Sequence, residues 1–248
     1  MEIKSYFDRI NYKSSTNPTL ETLCALHRAH MRTVPFENLD IPLKRPIALD
    51  EALLFDKIVN RRRGGFCYEL NGLFSALLRE MGFNVQRLSA RVANAEGGFG
   101  KEFDHMTLLV QQEERMLADV GFGDSFIEPL HLDKRGEQVQ EPGRYRIVDD
   151  QEHLTYQQRE KTEWKAQYIF RLKPYTLSDF QDACDWTQTS PLSSFTQRRV
   201  CSLATPDGRI SLSDMRLIIT SNGSRQEREV ESEAEYDDIL RERFGIVL

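Results

Sequence analysis

Cys67, His105 and Asp119 are the residues of this 248-residue chain whose types and spacing can carry a covalent reaction. Cys67 stands in Arg62-Arg63-Gly64-Gly65-Phe66-Cys67-Tyr68-Glu69-Leu70-Asn71, behind a glycine pair and ahead of apolar residues at helical spacing: Leu70, Leu73, Phe74, Leu77, Leu78 and Met81, with Gly82 as terminator. A helix is expected to start at the cysteine. Free N–H groups and the positive end of the macrodipole favour thiolate at such a terminus, and Arg62 and Arg63 are expected to add to that bias. A small buried cysteine is the other reading of the same residue.

His105 opens an apolar run, Met106 to Val110, and Asp119 lies in Met116 to Phe122, with the polar segment Gln111 to Arg115 between them. These read as the two strands of a hairpin. If Val110 faces Glu114, His105 falls directly opposite Asp119 on one face of the sheet, whereas a slip of one residue would separate them. A carboxylate so placed fixes the imidazole tautomer and stabilises its charged form, leaving the other ring nitrogen for a thiol. Nucleophile, base and orienting acid are then present in one chain. The triad alone does not choose among peptidase, transglutaminase-like crosslinker and acyltransferase, and a binding module that has lost catalysis is a further class.

The elements that must position these groups divide along the chain. Up to about residue 90 the pattern is helical, with a helix expected from Leu20 to about Arg32. From 91 to about 195 short strands alternate with turns, including Gln86–Val92 leading in, Tyr145–Val148 and Gln167–Leu172. The last stretch sets a strand, Met215–Thr220, against a final helix near Glu231–Arg243, joined across the turn residues Ser221-Asn222-Gly223-Ser224. Cys24, His27 and His30 sit three residues apart on the first long helix; such spacing spreads them over a broad sector and serves tetrahedral metal ligation poorly. Packing is the better reading for them, and no metal site is expected.

The order of motifs resembles the arylamine N-acetyltransferases of the bacterial type. The resemblance runs through Tyr6 to Tyr12, Pro18 to Leu23, Val34-Pro35-Phe36-Glu37-Asn38-Leu39, Arg63 to Asn71, Ala90-Arg91-Val92, Asp119-Val120-Gly121-Phe122-Gly123 and Gln188 to Phe195. It implies an α+β fold with a cysteine-protease-like Cys-His-Asp arrangement: an N-terminal helical bundle (1–90) carrying Cys67, a central β-barrel-like domain (91–195) carrying His105 and Asp119, and a C-terminal α/β lid (196–248). It implies acetyl-CoA as co-substrate and an arylamine or aryl hydrazine as acceptor. It also implies that the loop of Gly121 and Gly123 contacts coenzyme A or the acceptor. Asp124 stands where the family varies in acceptor selectivity, and its charge is expected to disfavour anionic acceptors. Phe36, Phe122 and Phe126 are expected to build a flat apolar acceptor pocket. Lys101, on the glycine-rich segment Gly97 to Lys101, is placed to meet a phosphate, and Trp186 and Ser190 are further cofactor-contact candidates.

Composition agrees with this class. Lys and Arg number 33 against 39 Asp and Glu, a net charge of −6 that does not recommend nucleic acid as partner. No apolar run approaches a membrane span and the N-terminus lacks signal-peptide features, so a cytoplasmic address is expected. The 4 cysteines show no CxxC spacing, which suits reduced thiols. Arg9, Glu37 and Arg63 are read as an ion-pair network holding the Cys67 turn, because arginine is a poor proton-transfer group and a good fork of donors. Oligomeric state is not readable.

Overall fold

A computed structural model describes residues 1–141 and 143–248. The N-terminal segment carries α1 (Ile3–Arg9), α2 (Leu20–Met31), the two-residue strand β1 (Phe36–Glu37), α3 (Glu51–Phe55) continued by a π-helical turn over Asp56–Asn60, and α4 (Cys67–Glu80). Helix α2 begins where its capping residue dictates: the Thr19 side chain accepts from the Thr22 N–H. Helix α4 starts at Cys67, as its glycine-led spacing predicts. It is not one-faced: every residue from Cys67 to Leu78 is buried, because α1, α3 and two barrel strands all pack on it.

An antiparallel eight-stranded sheet follows, formed by β2 (Asn84–Val92), β3 (His105–Gln111), β4 (Arg115–Ala118), β5 (Leu130–His131), β6 (Gln138–Val139), β7 (Arg144–Asp149), β8 (Leu154–Glu160) and β9 (Glu163–Tyr175). Its spatial order is β5-β4-β3-β2-β9-β8-β7-β6, so the two short strands β5 and β6 form the edges. Side chains bring those edges together. Gln138 on β6 accepts from the His131 N–H and donates to the His131 carbonyl, both at 2.9 Å, and Gln140 accepts from the N–H groups of Ile127 and Glu128 while donating to the Glu128 carbonyl. An amide carries one donor and one acceptor group, as a backbone residue does, so each glutamine substitutes for a missing ladder rung. The barrel interior is filled by Leu88, Leu117, Phe126, Tyr145, Tyr156 and Tyr168.

Helices α5 (Gln181–Thr189) and α6 (Ser194–Gln197) lead to a second antiparallel sheet: β10 (Val200–Thr205), β11 (Gly208–Ser213), β12 (Arg216–Ser221) and β13 (Ser224–Glu229), with α7 (Glu233–Phe244) behind it. Strand β1 is its fifth member, pairing Phe36 with Ser202 and Glu37 with Cys201. The Asn222-Gly223 turn joins β12 to β13, with Ser221 facing Ser224 and both central residues at positive φ. It does not join a strand directly to the final helix, as the sequence suggested. The charged segment Ser224–Glu229 had hidden a strand, since all its residues are exposed and it shows no apolar alternation. No helix among the described residues is long and apolar enough to cross a membrane.

If Gln138 closes the barrel, Gln138→Leu strands the N–H and C=O of His131. Urea unfolding should then show a loss of about 1–3 kcal/mol. An unchanged midpoint would mean that water replaces the amide without cost.

Candidate active site

Asp119 lies just beyond the end of β4 and has no exposed surface. Its Oδ2 accepts from His105 Nε2 at 2.7 Å and from the Tyr168 hydroxyl at 3.0 Å; its Oδ1 accepts from Asn71 Nδ2 at 2.8 Å and the Gly121 N–H at 3.0 Å. Burial alone would raise the carboxyl pKa, but the His105 charge and these hydrogen bonds overcome it and hold the group below its usual range. The hairpin register differs from the sequence expectation by two residues: Val110 pairs with Met116, not Glu114, so Asp119 reaches His105 diagonally. Because the offset is even, both side chains keep the same face, which is why the pair survives the error.

His105 donates through Nε2, so Nδ1 is its other functional nitrogen. Strand β3 also acts on Cys67: the backbone of Met106, the neighbour of His105, works to lower the thiol pKa. Asn71, one turn after Cys67, donates from Nδ2 to the Met106 carbonyl at 2.6 Å and to Asp119, and accepts the Val120 N–H at 2.9 Å. One amide therefore ties the nucleophile's helix to the strands of both partners. Gly121 is backed against the same helix; a Cβ there would lie 2.8 Å from the Cys67 Cα. Its placement explains the glycine by close approach of two backbones.

Burial pushes the Cys67 thiol well above its ordinary pKa, the Met106 hydrogen bond opposes this, and the Asp119 charge adds to it. The arginines do not supply the expected bias. Arg63 is buried and committed to Glu37 (Nε–Oε1 3.0 Å, Nη2–Oε2 3.1 Å) and Asp40 (3.1 Å), and Arg62 is exposed. The helix start favours the thiolate instead, since the Cys67 N–H has no intrahelical partner.

The Cys67 turn is held by a charge cluster larger than the sequence suggested. Lys57 bridges Asp40 and Glu69, each at 2.7 Å, and Glu69 reaches back to the Phe66 N–H in a capping interaction. Burial works against the Lys57 charge, but Glu69, Glu37 and Asp40 more than offset it. Arg9 joins through carbonyl groups, not carboxylates, donating to Ile58, Thr33, Arg62 and Arg63. Gly64 fits beneath Pro35, whose carbonyl oxygen would lie 1.9 Å from a Cβ.

Of the binding candidates, Phe122 is half-buried and sets its ring edge-on to His105, centroids 5.0 Å apart. Phe36, also half-buried, contacts Phe195. Phe126 is not available to a ligand: it is completely buried, stacked on His27 and packed edge-on to Tyr145 and Tyr156. Gly123 adopts φ +69° with open space around it. Asp124 is exposed and paired with Arg209 at 3.2 Å. Lys101 and Trp186 do line one groove, of about 490 Å³, with Tyr68 and Phe103. Glu102, Asp104, Asp179 and Asp182 line it too, a charge balance that suits a polyphosphate poorly. Ser190 caps the end of α5 and its hydroxyl accepts from the Leu192 N–H, a turn role.

Asn71, Tyr168 and His27 are positioning residues that the sequence reading passed over. Asn71 was legible from its four-residue spacing to Cys67, which sets both on one helix face. The other two meet Asp119 from distant strands and helices, with no local signal. His27 donates from Nδ1 to the Ile127 carbonyl at 2.7 Å and accepts the Asp119 N–H on Nε2 at 3.1 Å, which requires the neutral ring. Burial lowers its pKa to about 4. His30 bonds the Tyr6 hydroxyl through Nδ1, and no group able to hold a metal ion occurs among the described residues.

Arg63→Met leaves the buried Glu37 without its cation, while Asp40 keeps Lys57, and should cost about 3–5 kcal/mol in urea unfolding. Normal stability with lost activity would contradict its scaffold role. For His27, the unfolded state binds the extra proton between pH 6.5 and about 4, so its contribution is complete above 6.5 and lost as pH falls. Gln can make both hydrogen bonds without titrating. In His27→Gln, unfolding free energy should fall less steeply across that window, by up to about 1.4 kcal/mol per pH unit. An identical slope would show that His27 does not govern acid stability.

Comparison with known proteins extends over the whole arrangement. A family model described as N-acetyltransferase matches residues 19–248. The arylamine N-acetyltransferase of Escherichia coli strain K12 is 34% identical over 248 residues, covering 98% of this chain and 88% of that protein. The Mycobacterium marinum arylamine N-acetyltransferase solved in complex with CoA superposes with a TM-score of 0.92 at 34% identity, covering 99% of this chain and 93% of that one. A Bacillus cereus arylamine N-acetyltransferase described as having a Cys-His-Glu triad matches at TM-score 0.92 and 27% identity over 100% of both chains. With a match that takes in the segments of Cys67, His105 and Asp119 alike, the chain belongs to the arylamine N-acetyltransferase family.

Proposed function

We propose that this protein transfers an acetyl group from acetyl-CoA, by way of acetyl-Cys67, to the nitrogen of an arylamine or aryl hydrazine. The observation that carries the reading is the Asp119–His105 hydrogen bond, tied through Asn71 to the helix that Cys67 begins. The triad assignment of these three residues belongs to this proposal.

In the first half-reaction the Cys67 proton passes to His105 Nδ1 and the sulfur attacks the thioester carbonyl. The tetrahedral intermediate collapses with cleavage of the bond to the coenzyme sulfur, which takes the proton from His105. Asp119, kept ionised by its donors, stabilises the imidazolium in between. Backbone N–H groups in the first turn of α4 are suited to the oxyanion. Exchange of one thioester for another is nearly balanced in energy. In the second half-reaction the acceptor nitrogen, largely neutral at physiological pH, attacks acetyl-Cys67; its proton goes to His105 and then to the departing thiolate, restoring Cys67. Amide formation makes this half downhill. Phe122, edge-on to His105, is the aromatic side chain best placed to meet the acceptor ring.

Intact-mass measurement after incubation with acetyl-CoA alone tests the reading. A single acetyl should appear, vanish in Cys67→Ala, and be discharged by an arylamine with formation of the amide. No adduct, or an adduct that only water removes, would sink the proposal in favour of a hydrolase.

A further inference from the structure

Arg209, on β11, combines a nearly buried charge with a weak and exposed partner. Its side chain is 12% exposed, and burial lowers the guanidinium pKa against the opposing charge of Asp124. Nε donates to Asp124 Oδ1 at 3.2 Å and Nη1 to the Ser202 hydroxyl at 3.0 Å, while Nη2 has no hydrogen-bond partner among the described residues. Asp124 itself is 72% exposed. The two contacts locate the guanidinium. Ser202 is paired in register with Phe36, and Asp124 lies two residues beyond Phe122, the ring edge-on to His105. The charge thus stands between the C-terminal sheet, through Ser202, and the loop that carries Phe122, through Asp124.

The Nε–Nη2 edge of arginine is the one that grips a carboxylate or phosphate with two parallel hydrogen bonds. This protein uses it so at Arg63, where Nε and Nη2 engage the two oxygens of Glu37. At Arg209 the same edge is half used. A buried cation requires an anion, and an exposed carboxylate held by one bond is an exchangeable one. The loop that carries Asp124 has Gly121 and Gly123 on either side of Phe122, the second at positive φ.

We infer that Arg209 is an anion-recognition residue of this active site, with Asp124 as a resident counter-ion that the carboxylate or phosphate of a bound ligand displaces. The inference rests on the acetyl-transfer reading above. The anion has two sources: a carboxylate on the acceptor ring or a phosphate of the coenzyme. Asp124 then sets the selectivity by competing for the fork, so an unsubstituted or uncharged ligand is favoured while it stays in place.

Asp124→Ala exposes the fork, and steady-state kinetics distinguish the sources. One arm compares 4-aminobenzoate with its uncharged methyl ester as acceptor; the other compares acetyl-CoA with acetyl-pantetheine, which lacks the phosphates. In one arm the kcat/KM ratio of anionic over uncharged ligand should rise by about tenfold, through KM, the size of one charge-assisted hydrogen bond. The rise should vanish in Asp124→Ala/Arg209→Gln. If that protein does not fold, Asp124→Ala/Arg209→Lys, which keeps the charge and loses the fork, should shrink the rise. Unchanged ratios in both arms, or a rise that persists without the Arg209 fork, would overturn the inference. Failure of the acetyl-transfer reading shows separately, as no acetyl-Cys67 and no product from any of these ligands with the unaltered protein.

Discussion

A carboxylate with no contact with water must be matched by donors, and the donors to Asp119 come from separate parts of the fold: His105 on β3, Tyr168 on β9, Asn71 on α4 and the Gly121 backbone. An isolated buried anion would cost several kcal/mol and would protonate instead. Satisfying it therefore couples barrel, helix and loop into one arrangement. His27 extends the coupling to α2 by fixing the Asp119 backbone instead of its side chain. The barrel's aromatic interior serves the same end, since Tyr168 packs 5.0 Å from Tyr156 and 5.2 Å from the His105 ring.

Cys67 is held by a different device. The charge cluster of Glu37, Asp40, Lys57, Arg63 and Glu69 lies beneath the Gly64-Gly65 turn and fixes where α4 begins. Buried ion pairs stabilise little relative to apolar packing, but they are directional. Here direction is what matters, because the helix start must meet Gly121 at backbone contact. Glu69 illustrates the compromise: burial raises its pKa and Lys57 only partly counters that.

Much of this was legible in the sequence, for identifiable reasons. Helices α2 and α4 follow from apolar spacing, and α4 from a glycine stop as well, all local signals. The His105–Asp119 relation was legible through parity alone, although the loop was misjudged by two residues. What could not be read is long-range. Nothing near Phe36 says that it is a strand, because its partners lie far along the chain, at Ser202 and Gly65. Asp124 reads as a bare charge until Arg209 is brought to it across 85 positions. Phe126 looks like its neighbour Phe122, yet one turns into the barrel and the other toward the imidazole, a difference set by packing.

The pairing of β1 with β10 bears on how the protein is made. Strand β1 precedes the nucleophile by some thirty positions, yet its partner emerges from the ribosome more than a hundred residues after it. Tyr168, too, is synthesised after every other donor to Asp119. A growing chain that already exposes Cys67 therefore lacks the pairings that define its surroundings, since non-local contacts form only once both ends exist. The surroundings of Cys67 are therefore completed only after β9 and β10 have been made.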